Sequence, residues 1–236
     1  MPPTSSNTDS TSPLKRERRK DARPGELLEA ALDLFVEKGY AATRAEEVAK
    51  RAGVSKGTLF LYYASKEELF KAVVRKNIAQ RFTEMSSLWQ DFQGSSSDML
   101  RLGLTLWWER IGSTKASGIT KLMISEENNF PELAAFYRDE VMLPIHQLLE
   151  KILVRGIEQG EFRPIQVQNG IYMILAPMLY LVIRKHSAVT YATCNATIDP
   201  EEFIVAKIDN ILYGMLSNTT PPPNNPKNPD AYENLA

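Results

Sequence analysis

The sequence predicts an all-α protein in which a small N-terminal domain of three helices precedes a larger helical domain. Three observations indicate this fold class. In almost every segment, apolar residues return every three or four positions, as they do on one face of an α-helix. Ser, Thr, Asp and Pro stand where such segments begin, and glycines stand where several of them end. No segment sustains the period-two alternation that is typical of a half-buried strand.

The first helix is predicted after Pro24. Leu27, Ala31 and Leu34 recur at helical spacing and form the apolar stripe of an amphipathic helix. Gly39 marks its end, because glycine readily adopts the left-handed conformation that follows many helices.

Two short helices are predicted next. Thr43 and Glu46 have the spacing of a capping box, in which each side chain satisfies a free backbone donor near the helix start. Gly53 ends this second helix. Ser55 caps a third helix that runs to about Tyr63.

The fourth helix is predicted to be long. Ser65 and Glu68 form another capping box at its start, and the apolar pattern continues to about Gln93.

The remaining helices follow the same logic. Pro131 suits a first helical turn, Pro144 predicts a kink, and Asp199 is a cap for the last helix. Helices are expected over about residues 98–113, 119–127, 131–159, 167–185 and 200–216.

Composition shifts define the predicted domain organisation. The N-terminus is rich in Ser, Thr and Pro and then becomes basic, and the C-terminus contains the run TPPPNNPKNP, which cannot continue a helix. We therefore expect a disordered basic arm over residues 1–23 and a disordered tail over 218–236. The N-terminal domain is expected at 24–70, and the larger helical domain at 71–217.

Bulk composition narrows the class of protein. Residues 1–66 hold 12 basic and 9 acidic residues, whereas the other 170 hold 16 and 20, so the N-terminal part is the one suited to an anionic partner. Cys194 is the single cysteine, which excludes internal disulfides.

The longest uncharged apolar run has 13 residues, fewer than the roughly 17–25 needed to cross a bilayer. No metal or cofactor constellation is visible, and a cytoplasmic protein without membrane attachment is expected.

The segment from Thr43 to Phe60 has the form of a helix-turn-helix. A short capped helix stops at a Gly-Val turn, and a second short capped helix starts at once. This geometry allows the second helix to enter a DNA major groove about 12 Å wide.

The same stretch resembles the DNA-binding domain of the TetR/AcrR family of bacterial transcriptional regulators. The likeness rests on LLEAALDLFVEKGYAATRAEEVAKRAGVS, on KGTLFLYYASKEEL and on the long fourth helix, and it covers roughly Pro24 to Phe70. Phe60 stands where a tyrosine is usual in the family, and Tyr62 stands where a histidine is common.

The resemblance implies the positions of the DNA contacts. Thr43 and Arg44 would touch the DNA backbone, and Lys66 would clamp a phosphate. The recognition helix would offer the remaining contacts: Ser55, Lys56, Gly57, Thr58, Phe60, Leu61 and Tyr62.

The resemblance also implies a mechanism. A homodimer would repress transcription at a double-stranded DNA operator, and a small apolar or aromatic ligand would release it. An alternative is a nucleoid or division factor of the same fold that binds DNA without an effector. An enzyme is disfavoured, because no nucleophile–base pair, metal constellation or phosphate-binding glycine loop appears.

The larger domain contains candidates for ligand and dimer contacts. Large adaptable side chains on several of its predicted helices are expected to line a pocket for a neutral or weakly polar effector: Trp107, Trp108, Met123, Phe130, Tyr137 and Met178. An apolar stripe on the last helix is expected to form the dimer interface: Ile204, Ile208, Ile211 and Met215. Ordinary core packing is the competing explanation for all of these residues.

Overall fold

A computed structural model describes residues 13–89, 92–187 and 198–217 of the chain, and it confirms the all-α class. The α-helices are α1 (Pro13–Ala42), α2 (Ala45–Arg51), α3 (Lys56–Tyr62), α4 (Lys66–Val74), α5 (Gln80–Trp89), α6 (Ser96–Trp107), α7 (Gly118–Glu126), α8 (Pro131–Tyr137), α9 (Leu143–Glu158), α10 (Val167–Lys185) and α11 (Pro200–Met215). Three π-helical turns and a short 3₁₀ helix join some of them: Arg75–Ala79, Trp108–Gly112, Arg138–Met142 and Lys115–Ser117. Within the described ranges, β-type pairing is limited to an isolated bridge between Phe162 and Leu216.

Several predicted helix ends are confirmed by their capping bonds. Ser55 accepts a hydrogen bond from the backbone N–H of Thr58 at 3.0 Å, and Ser65 accepts one from Glu68 at 3.1 Å. Asp199 caps α11 in the same way. Gly39 has φ +84°, so helical backbone geometry breaks there as predicted.

The start of α1 differs from the prediction. The sequence predicts a disordered arm that includes residues 13–23, but α1 begins at Pro13. Proline fits a first helical turn, and the Leu, Lys, Arg and Glu residues that follow are good helix formers. Residues 1–12 of the expected arm and the expected tail at 218–236 lie outside the described residues.

The kink predicted at Pro144 takes the form of a π-helical turn. The turn Arg138–Met142 directly precedes α9, which has Pro144 in its first turn. Proline lacks the N–H that an α-helix would use, and the wider turn accommodates its absence within a continuous helical segment.

The chain forms two compact units whose limits differ from the predicted boundary at residue 70. Among the described residues, the first unit comprises 13–81 together with Ser113–Val141. α7 belongs to this unit because it packs on α1, and α8 because it packs on α4. Its core contains fully buried side chains from these helices and from α3: Leu27, Phe35, Leu59, Phe70, Ile119 and Leu133.

The second unit comprises the described residues within Phe82–Gly112 and within 142–217. Its described core is one apolar cluster drawn from α5, α6, α9, α10 and α11. The chain passes from one unit to the other at residues 81, 112 and 141, and a π-helical turn lies at or within a few residues of each passage.

Candidate functional site

The first unit contains the predicted helix-turn-helix. α2 ends at a turn in which Gly53 has φ +67°, a conformation that side chains disfavour. The backbone N–H of Val54 donates to the carbonyl of Ala49 at 2.9 Å and closes the turn. α3 follows directly, with Ser55 as its cap, and α2 and α3 pack against each other.

α3 has one buried face and one open face. Leu59 is completely buried and fixes the helix in the unit, whereas Leu61 is 84% exposed and Phe60 is 38% exposed. A large apolar side chain with the exposure of Leu61 has no packing role within its own unit. Ser55, Lys56 and Gly57 are exposed at the start of the helix. The structure therefore brings most of the predicted reading residues to one accessible surface.

Two cations beside this surface are differently engaged. The Lys56 ammonium lies 2.5 Å from the Glu46 carboxylate on α2 and 5.7 Å from the centre of the Phe60 ring. That hydrogen bond lowers the pKa of Glu46. Arg44 is exposed, and its guanidinium forms no ion pair with any described residue. Arg44 is thus available to an outside anion, whereas Lys56 must exchange Glu46 for one.

Thr43, which is predicted to touch the DNA backbone, has its side chain turned into the fold. Its side chain is 1% exposed, and its hydroxyl lies within hydrogen-bonding distance of the carbonyls of Leu34, at 3.1 Å, and Gly39, at 2.7 Å. Thr43 therefore holds the turn after α1. The predicted capping box is shifted by one residue, since Arg44 is the cap of α2 and its N–H donates to Glu47 at 3.3 Å.

Lys66, which is predicted to clamp a phosphate, has its ammonium engaged within the fold. Its ammonium donates to three backbone carbonyls of the same turn, those of Tyr40 at 2.9 Å, Ala41 at 3.4 Å and Thr43 at 3.2 Å. A lysine has three N–H donors, so all of them are in use. The ammonium also lies 4.3 Å from the centre of the Tyr40 ring, and burial lowers its pKa. Lys66 thus ties the end of α1, beyond the break at Gly39, to the start of α4.

Three of the predicted ligand residues lie in the first unit and have packing roles there. Phe130 meets the Tyr40 ring edge-on at 4.7 Å between ring centres. The Tyr137 hydroxyl lies 2.9 Å from that of Thr120, and burial raises the pKa of Tyr137 to about 12. Met123 is buried in the same unit. Core packing accounts for these three residues.

The other three predicted ligand residues lie together in the second unit. Trp108 and Met178 are buried in its apolar cluster, and Trp107 packs against the cluster while partly buried. The centres of the two indole rings are 6.1 Å apart, and both rings lie next to Gly112. Trp108 is therefore the tryptophan that faces the interior.

The predicted dimer stripe belongs to the core of the second unit. Ile204, Ile208 and Met215 are buried there, and Ile211 packs against them. Periodicity alone does not distinguish a stripe that faces the chain's own core from one that faces a partner. The exposed apolar residues of α10 and α11 lie elsewhere: Tyr172, Met173 and Tyr180 on α10, and Val205 and Tyr213 on α11.

Sequence reasoning missed Lys207, which is 8% exposed on α11. Its ammonium donates to the carbonyl of Ile174 on α10. Burial lowers its pKa from 10.5 to about 8. A signal was present, because Lys207 stands within the apolar stripe, three residues after Ile204 and four before Ile211.

Two further findings limit other kinds of site. Among the described residues, no group of three or more His, Cys, Asp and Glu side chains is arranged to hold a metal ion. In the same part of the chain, α10 is long and apolar enough to cross a membrane by length and composition alone, and 33% of its most apolar window is buried. Core helices of soluble proteins meet the same criterion, so it carries little weight.

Comparison with protein families identifies both parts of the chain. Residues 27–73 match the sequence profile of bacterial regulatory proteins of the tetR family. Residues 93–200 match the profile of a tetracyclin repressor-like C-terminal domain.

Individual proteins extend this likeness. The HTH-type transcriptional regulator RutR of Escherichia coli K12 is 28% identical over 212 residues, which cover 88% of this chain and 95% of RutR. The regulator YfiR of Bacillus subtilis is 29% identical over 161 residues, covering 66% and 75% of the two chains. Among solved structures, the regulator FadR of B. subtilis in complex with stearoyl-CoA has a TM-score of 0.64 at 22% identity, covering 83% of this chain and 99% of FadR. At that identity the structural likeness supports the fold alone.

Proposed function

Because the chain belongs to the TetR family and is a DNA-binding transcriptional regulator, we propose that it is a cytoplasmic repressor whose operator complex is released by a small ligand. The ligand would bind the second unit more tightly in the conformation that does not hold DNA. By linkage, the operator then disfavours the ligand to the same extent.

The open face of α3 is the observation that carries the DNA-binding part of this proposal. Leu61 is suited to contact the methyl group of a thymine, an apolar feature of the major groove. Arg44 is suited to a phosphate, because it is exposed and has no ion pair among the described residues. Lys56 would exchange Glu46 for DNA, which makes its contribution smaller than that of a free cation.

A mobility-shift titration over a series of salt concentrations tests these roles. Arg44→Ala should weaken binding to all sequences and reduce the salt slope by about 0.9 for each phosphate that the arginine neutralises. Leu61→Ala should change the preferred sequence and leave the slope unchanged, because it removes no charge. Lys151→Ala and Leu143→Ala are matched controls, since they make the same kinds of change at exposed positions of α9. If Arg44→Ala leaves both affinity and slope at their wild-type values, its proposed role is wrong.

We also propose a homodimer formed through α10 and α11, using exposed residues in place of the buried stripe. Tyr172 and Met173 on α10 and Val205 and Tyr213 on α11 are large, apolar and open to solvent. A two-fold pair would suit two recognition helices spaced by about 34–36 Å in successive major grooves.

Sedimentation analysis tests the dimer. Met173→Asp combined with Val205→Asp should give folded monomers, whereas Ile124→Asp, at an exposed position of the first unit, should remain dimeric. Ile208→Asp should instead lower the thermal stability, because Ile208 is a core residue. A folded Met173→Asp, Val205→Asp variant that remains dimeric would place the interface on another surface.

The ligand site is proposed in the second unit, around Trp108 and Met178. An apolar interior with adaptable side chains is typical of small-molecule sites, and FadR of B. subtilis, with the same fold, is described in complex with stearoyl-CoA. Release of a pre-formed operator complex by a compound that also shifts tryptophan fluorescence is the expected result. A factor that works without an effector would keep its operator complex in every compound tested.

A further inference from the structure

Lys207 is a buried cation without a countercharge among the described residues. It lies on α11 with 8% of its surface exposed, and α10 and α6 pack against that helix. Its ammonium donates to the carbonyl of Ile174, and no carboxylate in the described part of the chain pairs with it. Lysines are almost never buried to this extent unless they are paired. The position therefore requires an explanation beyond packing.

A structural role explains part of the arrangement. Pro177 lies inside α10 and lacks an N–H, which disturbs the hydrogen bonding of the preceding turn. The carbonyl that Pro177 leaves without its helical donor is that of Met173, and Lys207 donates to the next carbonyl, that of Ile174. One bond, however, occupies one of the three N–H donors of an ammonium. A glutamine would serve a single carbonyl at a lower cost of burial, so the structural role leaves the charge unexplained.

The carboxylate nearest in sequence is used at the surface. Asp209, two residues further along α11, forms an ion pair with Arg101 of α6 at 2.6 Å, with both side chains largely exposed. The same helix therefore offers a carboxylate, but not to Lys207. The residues around Lys207 on α11 are Ile204, Ile208 and Ile211, so the amine lies in an apolar setting.

We propose that Lys207 binds the carboxylate of an amphipathic acid, whose apolar part lies within the core cluster that contains Trp108 and Met178. This inference rests on the proposed ligand-controlled function and identifies the chemical class of its effector. It replaces the neutral effector expected from the sequence, because the burial of Lys207 arises only from the tertiary packing of α11.

The chemistry of the site favours a monoanion with a long or broad apolar body. One ammonium neutralises one negative charge, and its two remaining donors match the two oxygens of a carboxylate. A doubly charged phosphate would leave one charge uncompensated in an apolar interior, which is costly. The apolar body of the acid would be accommodated by Met178 and Met215, which adapt their shape readily.

Matched pairs of acids and alcohols test this proposal. Octanoate, decanoate, dodecanoate and 3-phenylpropionate, each with the alcohol of the same carbon skeleton, are titrated calorimetrically into the full-length protein. The wild type should bind at least one acid about tenfold more tightly than its alcohol, as expected for a charge-assisted contact in an apolar site. Lys207→Met, which keeps the unbranched chain up to the ε position and removes the charge, should abolish that preference and retain binding of the alcohol. Lys151→Met, at an exposed position, should bind like the wild type.

The result that overturns the proposal is an acid preference that survives in Lys207→Met, or no acid that binds the wild type more tightly than its alcohol. If Lys207→Met does not fold, as judged by circular dichroism, Lys207→Gln is measured in its place with the same expected loss of preference. Operator release is scored separately by mobility shift. An acid that binds through Lys207 without releasing the operator would refute the proposed regulation and leave the Lys207 site standing.

Discussion

Replacing Lys66 by methionine separates a structural lysine from a phosphate clamp. The substitution keeps the unbranched chain of lysine up to the ε position and removes the ammonium that donates to the carbonyls of Tyr40, Ala41 and Thr43. A hydrogen bond that involves a charged group contributes roughly 1.5–3 kcal/mol, and the contact with the Tyr40 ring adds about 0.5–1 kcal/mol. The ammonium is only partly buried, and its lowered pKa indicates that desolvation opposes these gains. We therefore expect a net loss of about 1–3 kcal/mol in the free energy of unfolding.

The change in stability is measured by urea unfolding followed by circular dichroism, with Lys151→Met as the control for removal of a surface lysine. Operator affinity should fall as well, because the turn that Lys66 holds leads directly into α2 of the helix-turn-helix. The salt dependence separates the two roles. A positioning lysine leaves the slope of affinity against salt unchanged, whereas a phosphate clamp reduces it by about 0.9. Unchanged stability together with a reduced slope would refute the structural role.

Three further predictions concern buried groups. Thr43→Val removes the hydroxyl that bonds to the carbonyls of Leu34 and Gly39. It should lower the free energy of unfolding, measured in urea, by about 1–2 kcal/mol. A loss near zero would argue against those bonds. Gly112→Ala places a methyl group 2.5 Å from Trp108 and 2.9 Å from Trp107. It should lower the free energy of unfolding by about 1–3 kcal/mol and shift the tryptophan fluorescence. Unchanged stability and emission would show that both rings move freely. The pKa of Lys207 is about 8 in the folded protein and 10.5 in the unfolded chain. Between these pH values the unfolded chain therefore retains a proton that the folded chain has released. The stability of the wild type should therefore rise relative to that of Lys207→Met as the pH increases from 8 to 10.5, by at most about 3 kcal/mol. A stability difference between the two proteins that does not change with pH would contradict burial of the amine.

The sequence predicted the fold well wherever a local signal has a local cause. Ser55, Ser65 and Asp199 cap helices because their side chains accept from backbone donors within three residues. Gly39 and Gly53 break or end helices because their backbone lies in the left-handed region. Such interactions depend on the neighbouring residues alone, so they can be inferred before any tertiary structure is known.

Where the structure departs from the sequence-based expectation, distant contacts are the cause. Thr43 has the sequence signature of a helix cap, but the carbonyls of Leu34 and Gly39 compete for its hydroxyl, and the cap moves to Arg44. The stripe that includes Ile208 has the spacing of a helix–helix interface and packs within its own unit. Periodicity identifies which face is apolar, but the arrangement of the other helices decides what covers that face.

Charge was the property that the sequence described least completely, because the role of a cation depends on how many of its donors are already in use. Lys66 has three donors bound to carbonyls, so we expect it to hold the fold. Arg44 has none committed to an ion pair with a described residue and is exposed, so it suits a DNA phosphate. Lys207 lies between these cases, since one donor is used and burial separates the other two from water. An acid that supplies two acceptors and one negative charge completes its hydrogen bonding, and for this reason the interior of the second unit suits a carboxylate better than a neutral ligand.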